Sequence, residues 1–166
     1  ADFETWPTFS KLLLLILMMI GGCAGSTASG IKVARIILLV RNARAVILQK
    51  LNPHRVVDIS LGGAHVDSAM LLRVGTFFFL YLAIIFVTAF LLTMDGLLPF
   101  DAIAVAVTTI GNIGPAFGIV SATSTYAPLS DFVKTVLCLS MLLGRLEIFT
   151  LLILLRPSFW RKTKRW

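Results

Sequence analysis

The stretch FDAIAVAVTTIGNIGPAFG, residues 100–118, decides how this chain is read. Residues 101–110 are small and apolar enough for helix, yet at ~1.5 Å per residue they reach only about halfway through a ~30 Å hydrocarbon layer. They cannot span it. The residues that follow, Gly111, Asn112, Ile113, Gly114 and Pro115, suit neither helix nor lipid, because the two glycines loosen the backbone and the proline lacks an N–H. Non-helical backbone at membrane depth survives only where protein buries it or water lines it. The stretch is therefore predicted to be a re-entrant half-helix that delivers bare carbonyls to an aqueous path.

The rest of the composition agrees with a membrane setting. At 166 residues and 58% hydrophobic, with a mean hydropathy of +0.94, the chain reads as an integral membrane protein and not as a soluble domain. A net charge of +7 raises nucleic acid as a partner, but the basic residues gather in 32–73 and 156–165, each beside a long apolar run. That is the positive-inside pattern of membrane proteins, so no nucleic acid is expected. Cys23 and Cys138 lie in apolar or intramembrane settings and indicate neither a disulfide framework nor a metal site. Residues 1–5 open without an initiator methionine or a signal peptide, and the chain is expected to be a piece of a longer protein.

Outward from the decisive stretch, residues 74–94 carry no charge and are long enough for a full crossing, which Asp95 and Gly96 end. Residues 132–155 are expected to be a second full crossing, opened by Asp131, after a polar outer loop at 121–130. Near the N-terminus, Trp6 and Pro7 suit an interface, and an apolar run at 12–20 stops at Gly21. The sequence GGCAGSTASG, residues 21–30, is almost all small, and apolar character resumes over 31–40 with Lys32 and Arg35 set into it. We read one crossing broken in the middle, with an unbroken helix carrying a small-xxx-small face on Gly21 and Gly25 as the competing reading. A phosphate loop fails because Ile31 follows Gly30 and Lys32 comes one place late, and Gly21, Gly22 and Gly25 do not form a dinucleotide fingerprint.

Residues 41–73 read as a cytoplasmic connection with a small hairpin around Gly62 and Gly63, and Asp67 or Ser68 is expected to cap the next helix. His54 and His65 are read as solvated loop residues. Lys32, Arg35, Arg41, Arg44, Lys50, Arg55, Arg73 and the tail cations Arg156, Arg161, Lys162, Lys164 and Arg165 fall on one side, against Lys11 and Lys134 on the other. The chain is thus expected to start outside and end inside. The fold class is all-α integral membrane, in the order broken transmembrane helix, full span, re-entrant pore helix with filter strand, full span.

Arg145 stands near the middle of the last predicted crossing, where insertion of such a residue costs about 2.5 to 3.5 kcal/mol. Glu147 is two residues away and points to a different side of the helix, so it cannot offset that cost. Arg145 is either a buried structural anchor or a fixed positive charge beside a cation path. Glu147 is placed to pair with Lys32 or Arg35 on a neighbouring helix.

The order of GGCAGSTASGIK, an LGG linker, an apolar span, TTIGNIGP and GRLEIFT resembles the Trk/Ktr/HKT superfamily, specifically the TrkH-type potassium uptake subunits. In that family four linked repeats of outer helix, pore helix and inner helix surround one pore. The resemblance implies that residues 1–45 are the inner helix of the third repeat with an intramembrane gate loop at 21–30. Residues 46–70 would be the cytoplasmic linker and 71–166 the fourth repeat. Within the latter, 71–95 is the outer helix, 100–118 the pore helix and filter, 131–156 the inner helix and 157–166 a basic tail. Gly114 matches the filter glycine, and the carbonyls of Asn112, Ile113 and Gly114, next to Gly111, would replace water around a dehydrated K⁺. Gly21, Gly22, Cys23, Ala24, Gly25, Ser26, Thr27, Ala28, Ser29 and Gly30 match the gate loop, and Arg145 matches the inner-helix arginine near it. Two positions depart from the family: Gly111 stands where many relatives have asparagine, and Ala28 and Ser29 replace part of a glycine run.

These readings leave three function classes. The first is K⁺ transport through a carbonyl-lined filter, with K⁺ as cargo and no catalytic residue or cofactor in this chain. The second is a non-conducting membrane assembly or binding subunit whose glycines serve helix packing. The third is the membrane subunit of a different transporter that binds an anion at a half-helix N-terminus near Gly30. The resemblance further implies the first three repeats of the same polypeptide, a peripheral nucleotide-binding (NAD or ATP) regulatory subunit, a homodimer, and a multi-pass location in the plasma (inner) membrane with a cytoplasmic C-terminus.

Overall fold

A computed structural model of the chain describes residues 3–23, 29–52, 58–61 and 63–146. The expectations for Ala24, Gly25, Ser26, Thr27, Ala28, His54, Arg55, Gly62, Glu147 and the tail 157–166 lie outside the described residues.

Five α-helices organise the described chain: α1 (Thr8–Ile20), α2 (Val33–Leu51), α3 (Ser68–Met94), α4 (Pro99–Ile110) and α5 (Asp131–Arg145). Among the described residues the one pair of strands is the predicted hairpin, in which Ser60–Leu61 (β1) pairs antiparallel with Ala64–His65 (β2). Its neighbours hold it in place, since the Arg41 guanidinium donates to the Ser60 carbonyl and His65 pairs with the exposed Asp58.

The helix boundaries correct several expectations. The linker expected over 46–70 is shorter, because α2 continues to Leu51 and α3 begins at Ser68. Asp67 does occupy the N-cap of α3, but its carboxylate makes no cap bond to the backbone and instead accepts from the Ser68 hydroxyl at 3.3 Å. The last helix was expected to run unbroken to residue 155 or 156, whereas α5 stops at Arg145 and Leu146 lies in a bend. Gly144 in its last turn weakens the helix there. The competing unbroken reading of the first crossing is overturned, since α1 ends at Ile20 and Gly21 takes φ 72° and ψ −161°, a conformation kept for glycine.

Among the described residues α3 is the one helix long and apolar enough to cross a membrane, and α1 and α4 are shorter apolar helices. One face of α3 buries Val74, Phe77, Tyr81, Ile85, Thr88, Ala89 and Leu92. The other presents Leu72, Phe79, Phe86, Val87, Phe90 and Met94, which are exposed and apolar. A helix apolar all round needs an apolar surrounding on both sides.

At the centre stands α4. Every residue over 104–110 has 0% exposure, enclosed by α3, α5 and α1. Its alanines allow that closeness, as small side chains do wherever helices pack in lipid. A helix of ~1.5 Å rise per residue and this length is about 18 Å long, and it is deep inside the bundle where it ends.

Candidate functional site

The end of α4 is finished by backbone chemistry that can be followed bond by bond. Gly111 stays right-handed at φ −71°, and Asn112 then turns left-handed at φ 52°. The Ile113 N–H donates to the Thr108 carbonyl at 2.9 Å and the Asn112 N–H to the Thr109 carbonyl at 3.1 Å. This is a Schellman cap with asparagine in the left-handed position where glycine is commoner. The Thr108 and Thr109 hydroxyls donate back into the helix, to Val105 and Ala106 carbonyls, so neither is left without a partner in the core.

After the cap, residues 113–116 form neither helix nor strand. Ile113 is 41% exposed, and no donor to the Asn112 or Ile113 carbonyl is found among the described residues. Gly114 has φ 106°, with open space where a Cβ would sit. Its carbonyl differs from the other two, because the Tyr126 hydroxyl donates to it at 2.5 Å. Burial pushes the Tyr126 hydroxyl above its ordinary pKa, with the Thr108 hydroxyl acting in the opposite sense, so Tyr126 is the protonated donor. The return segment is pinned by Phe117, 1% exposed, edge-on to Phe3 at 5.4 Å and tilted against Phe100 at 5.8 Å. At the other end of α4, Gly118 donates to the Glu4 carboxylate, which also pairs with Lys11 at 2.8 Å. A Cβ on Gly118 would overlap the Asp101 carboxylate.

The small-residue segment 21–30 meets this site from one side. Its two ends lie back to back: a Cβ on Gly21 would be 2.8 Å from the Ser29 carbonyl, and one on Gly30 would be 3.2 Å from the Gly21 Cα. The Val33 N–H donates to the Gly22 carbonyl at 3.2 Å across the same neck. Ser29, 7% exposed, accepts from the Asn112 side-chain amide at 3.1 Å. The same amide donates to the Met141 carbonyl of α5 at 3.1 Å. Thus the structure brings together Asn112, Ile113, Gly114 and the described ends of the small-residue segment. Arg145 is exposed at the last residue of α5, not at the middle of an unbroken helix.

Three contributors escaped the sequence reading. Tyr126 carried a signal, as the lone aromatic of an otherwise polar loop. Gly144 carried one too, as a small residue in an apolar helix; a Cβ there would overlap the Ile110 carbonyl oxygen, so α5 can touch the end of α4 only because Gly144 has no side chain. The Asn112 amide, reaching residues far apart in sequence, carried none.

Comparison with known proteins adds to this geometry. A family model described as TrkH, cation transport protein, matches residues 1–162. The chain is 43% identical over 163 residues to the Trk system potassium uptake protein TrkH of Vibrio parahaemolyticus, covering 96% of this chain and 32% of that protein. It is 39% identical over 157 residues to the TrkH of Salmonella typhimurium, covering 95% and 32%. The crystal structure of the potassium transporter TrkH from Vibrio parahaemolyticus superimposes with a TM-score of 0.84 at 39% identity, over 97% of this chain and 34% of that one. The chain therefore spans about a third of the length of these relatives. By the family match and the shared fold together, this chain belongs to the TrkH family of cation transport proteins.

Proposed function

We propose that the chain supplies part of a potassium-conducting path, in which the carbonyls of Asn112, Ile113 and Gly114, beside Gly111, line a filter and residues 21–30 form a gate loop below it. One observation carries this reading. A helix that stops deep in the bundle is followed by non-helical backbone whose Asn112 and Ile113 oxygens meet no donor among the described residues. Such oxygens cost free energy unless a ligand or water satisfies them, and a dehydrated cation does so while the negative end of the α4 dipole faces it. The Tyr126 bond refines the reading, because it takes up one lone pair of the Gly114 oxygen and leaves Asn112 and Ile113 as the less encumbered ligands.

On this reading α3 and α5 are the outer and inner helices around the pore helix α4, and α1 with α2 is the broken inner helix of the preceding repeat. The basic residues of α2 face the cytoplasm. Arg145, at the end of α5, is a positive charge close to the gate. The remaining repeats, a peripheral NAD- or ATP-binding regulatory subunit on the cytoplasmic face, homodimerisation, and a multi-pass location in the plasma membrane complete the proposal, supported by the family. The test is rubidium uptake by the full-length protein in a strain lacking its own potassium uptake. Gly114→Asp, which places a charge in the open space beside the filter, abolishes uptake while the protein still reaches the membrane. Wild-type uptake by that variant would remove the filter assignment.

A further inference from the structure

We infer that Glu4 is a positioning residue for the outer end of the filter, holding the Gly118 N–H from the turn that leads into α1, with Lys11 setting its carboxylate in place. The inference rests on the filter reading proposed above, in which α1 belongs to the preceding repeat, so the hold runs from one repeat to the next. The two oxygens of Glu4 have separate tasks. Oε2 accepts the Gly118 N–H at 3.3 Å, and Oε1 accepts the Lys11 ammonium at 2.8 Å. An ionised carboxylate accepts at both oxygens, so one side chain serves both donors. Lys11 lies within α1, seven residues beyond Glu4, and the pair thereby fixes the Phe3–Thr5 turn against the helix it precedes.

Gly118 is where such a hold has reach. The Ala116 N–H donates to the Val120 carbonyl at 2.9 Å, which closes residues 116–120 into one small loop just after the oxygens of 112–114. Within that loop Gly118 stands at φ 70°, and the Asp101 carboxylate from the first turn of α4 fills the space a side chain there would need. Phe3, the neighbour of Glu4, lies edge-on to Phe117, the neighbour of Gly118. Two adjacent residues therefore grip two adjacent residues, one by a ring contact and one by a hydrogen bond. The inner end of 112–114 is fixed by the α4 cap, and this grip fixes the outer end. Without the Glu4 acceptor the loop keeps its closing bond but loses a fastening to the preceding repeat, and binding an ion must then order the 112–114 oxygens as well.

A carboxylate at this place also attracts cations from a distance, so the experiment holds the charge constant. Rubidium uptake by the full-length protein is measured against rubidium concentration, with membrane abundance alongside. Glu4→Gln combined with Lys11→Met keeps an oxygen for the Gly118 N–H, and Glu4→Ala combined with Lys11→Met does not, while both carry the same charge. The first pair is expected to keep the wild-type half-maximal concentration. The second raises it about fivefold, with the maximal rate per protein in the membrane nearly unchanged. Equal half-maximal concentrations in the two double variants refute the positioning role, and so does a fall in abundance or maximal rate in place of the change in affinity. Gly114→Asp separates the two levels: loss of uptake there together with equal double variants overturns the role of Glu4 alone, whereas retained uptake removes the filter reading beneath it.

Discussion

The chain interrupts an apolar helix twice, once after α1 and once after α4, and the two interruptions are built by different means. After α4 the backbone is capped within itself, leaves neither the Asn112 nor the Ile113 N–H without an acceptor, and is fastened by Tyr126 and Phe117. After α1 the chain closes a neck by laying Gly21 against Ser29 and Gly30, and the described fastenings beyond the neck are the Val33 to Gly22 bond and the Asn112 amide on Ser29. Carbonyls that must replace a hydration shell need to be held in position beforehand. On the proposed reading, the end of α4 is the fixed site and the segment closed at the Gly21 neck is the movable part.

The most severe way to break that contrast is to push α5 away from the end of α4. In Gly144→Ala the new methyl would overlap the Ile110 carbonyl, and backbone on both sides leaves nothing flexible to give way. Overpacking of this kind costs about 3 kcal/mol or more. The variant is expected to show a sharply lowered thermal midpoint in detergent and little uptake. A midpoint equal to wild type would mean that the α4 end is not rigidly seated.

A smaller effect separates two of the glycines with positive φ, one from each interruption. Gly21→Ala meets both a conformation that disfavours side chains and the Ser29 carbonyl at 2.8 Å, whereas Gly114→Ala meets the conformation with open space around it. The conformational cost is ~1–3 kcal/mol at each site. Gly21→Ala should therefore be the more destabilising of the two, and it should raise uptake by forcing the neck apart. Equal midpoints for the two variants would show that the back-to-back contact adds nothing.

Much of this arrangement was legible in sequence because length and hydropathy are decisive in lipid. The short apolar stretch before Gly111 and the stop at Gly21 fixed both interruptions, and the hairpin was visible from its glycines. The detail of the α4 end was not. Its two glycines drew attention as the flexible positions, yet Gly111 keeps right-handed backbone as the buried C-cap, and Asn112 makes the left-handed turn. A Cβ at Gly111 would be 3.0 Å from the end of the Ile113 side chain and 3.1 Å from the Val107 carbonyl, so a larger residue there needs Ile113 to shift by a few tenths of an ångström. Nor could the end of α5 be read, because the apolar pattern runs on past Arg145 whereas α5 ends there and Leu146 lies in a bend. Contacts between residues distant in the chain, such as Asn112 with Ser29 or Tyr126 with Gly114, have no periodic signature to betray them.

The mildest probe of the contrast acts on the fixed site alone. Tyr126→Phe removes the hydroxyl that donates to the Gly114 carbonyl and leaves the ring to pack as before. A hydrogen bond of this kind is worth about 1 kcal/mol net, near fivefold in an equilibrium constant. If the bond holds the segment after the α4 cap in register, its loss lets Gly114 rotate and the neighbouring Ile113 and Asn112 carbonyls wander, so that part of the binding energy for the ion is spent on ordering them again. The concentration of K⁺ giving half-maximal uptake should then rise about fivefold with the maximal rate nearly unchanged. A rise in maximal rate with unchanged affinity would instead assign Tyr126 to the movable part, and the division between the two interruptions would have to be redrawn with the outer loop on the side of the gate.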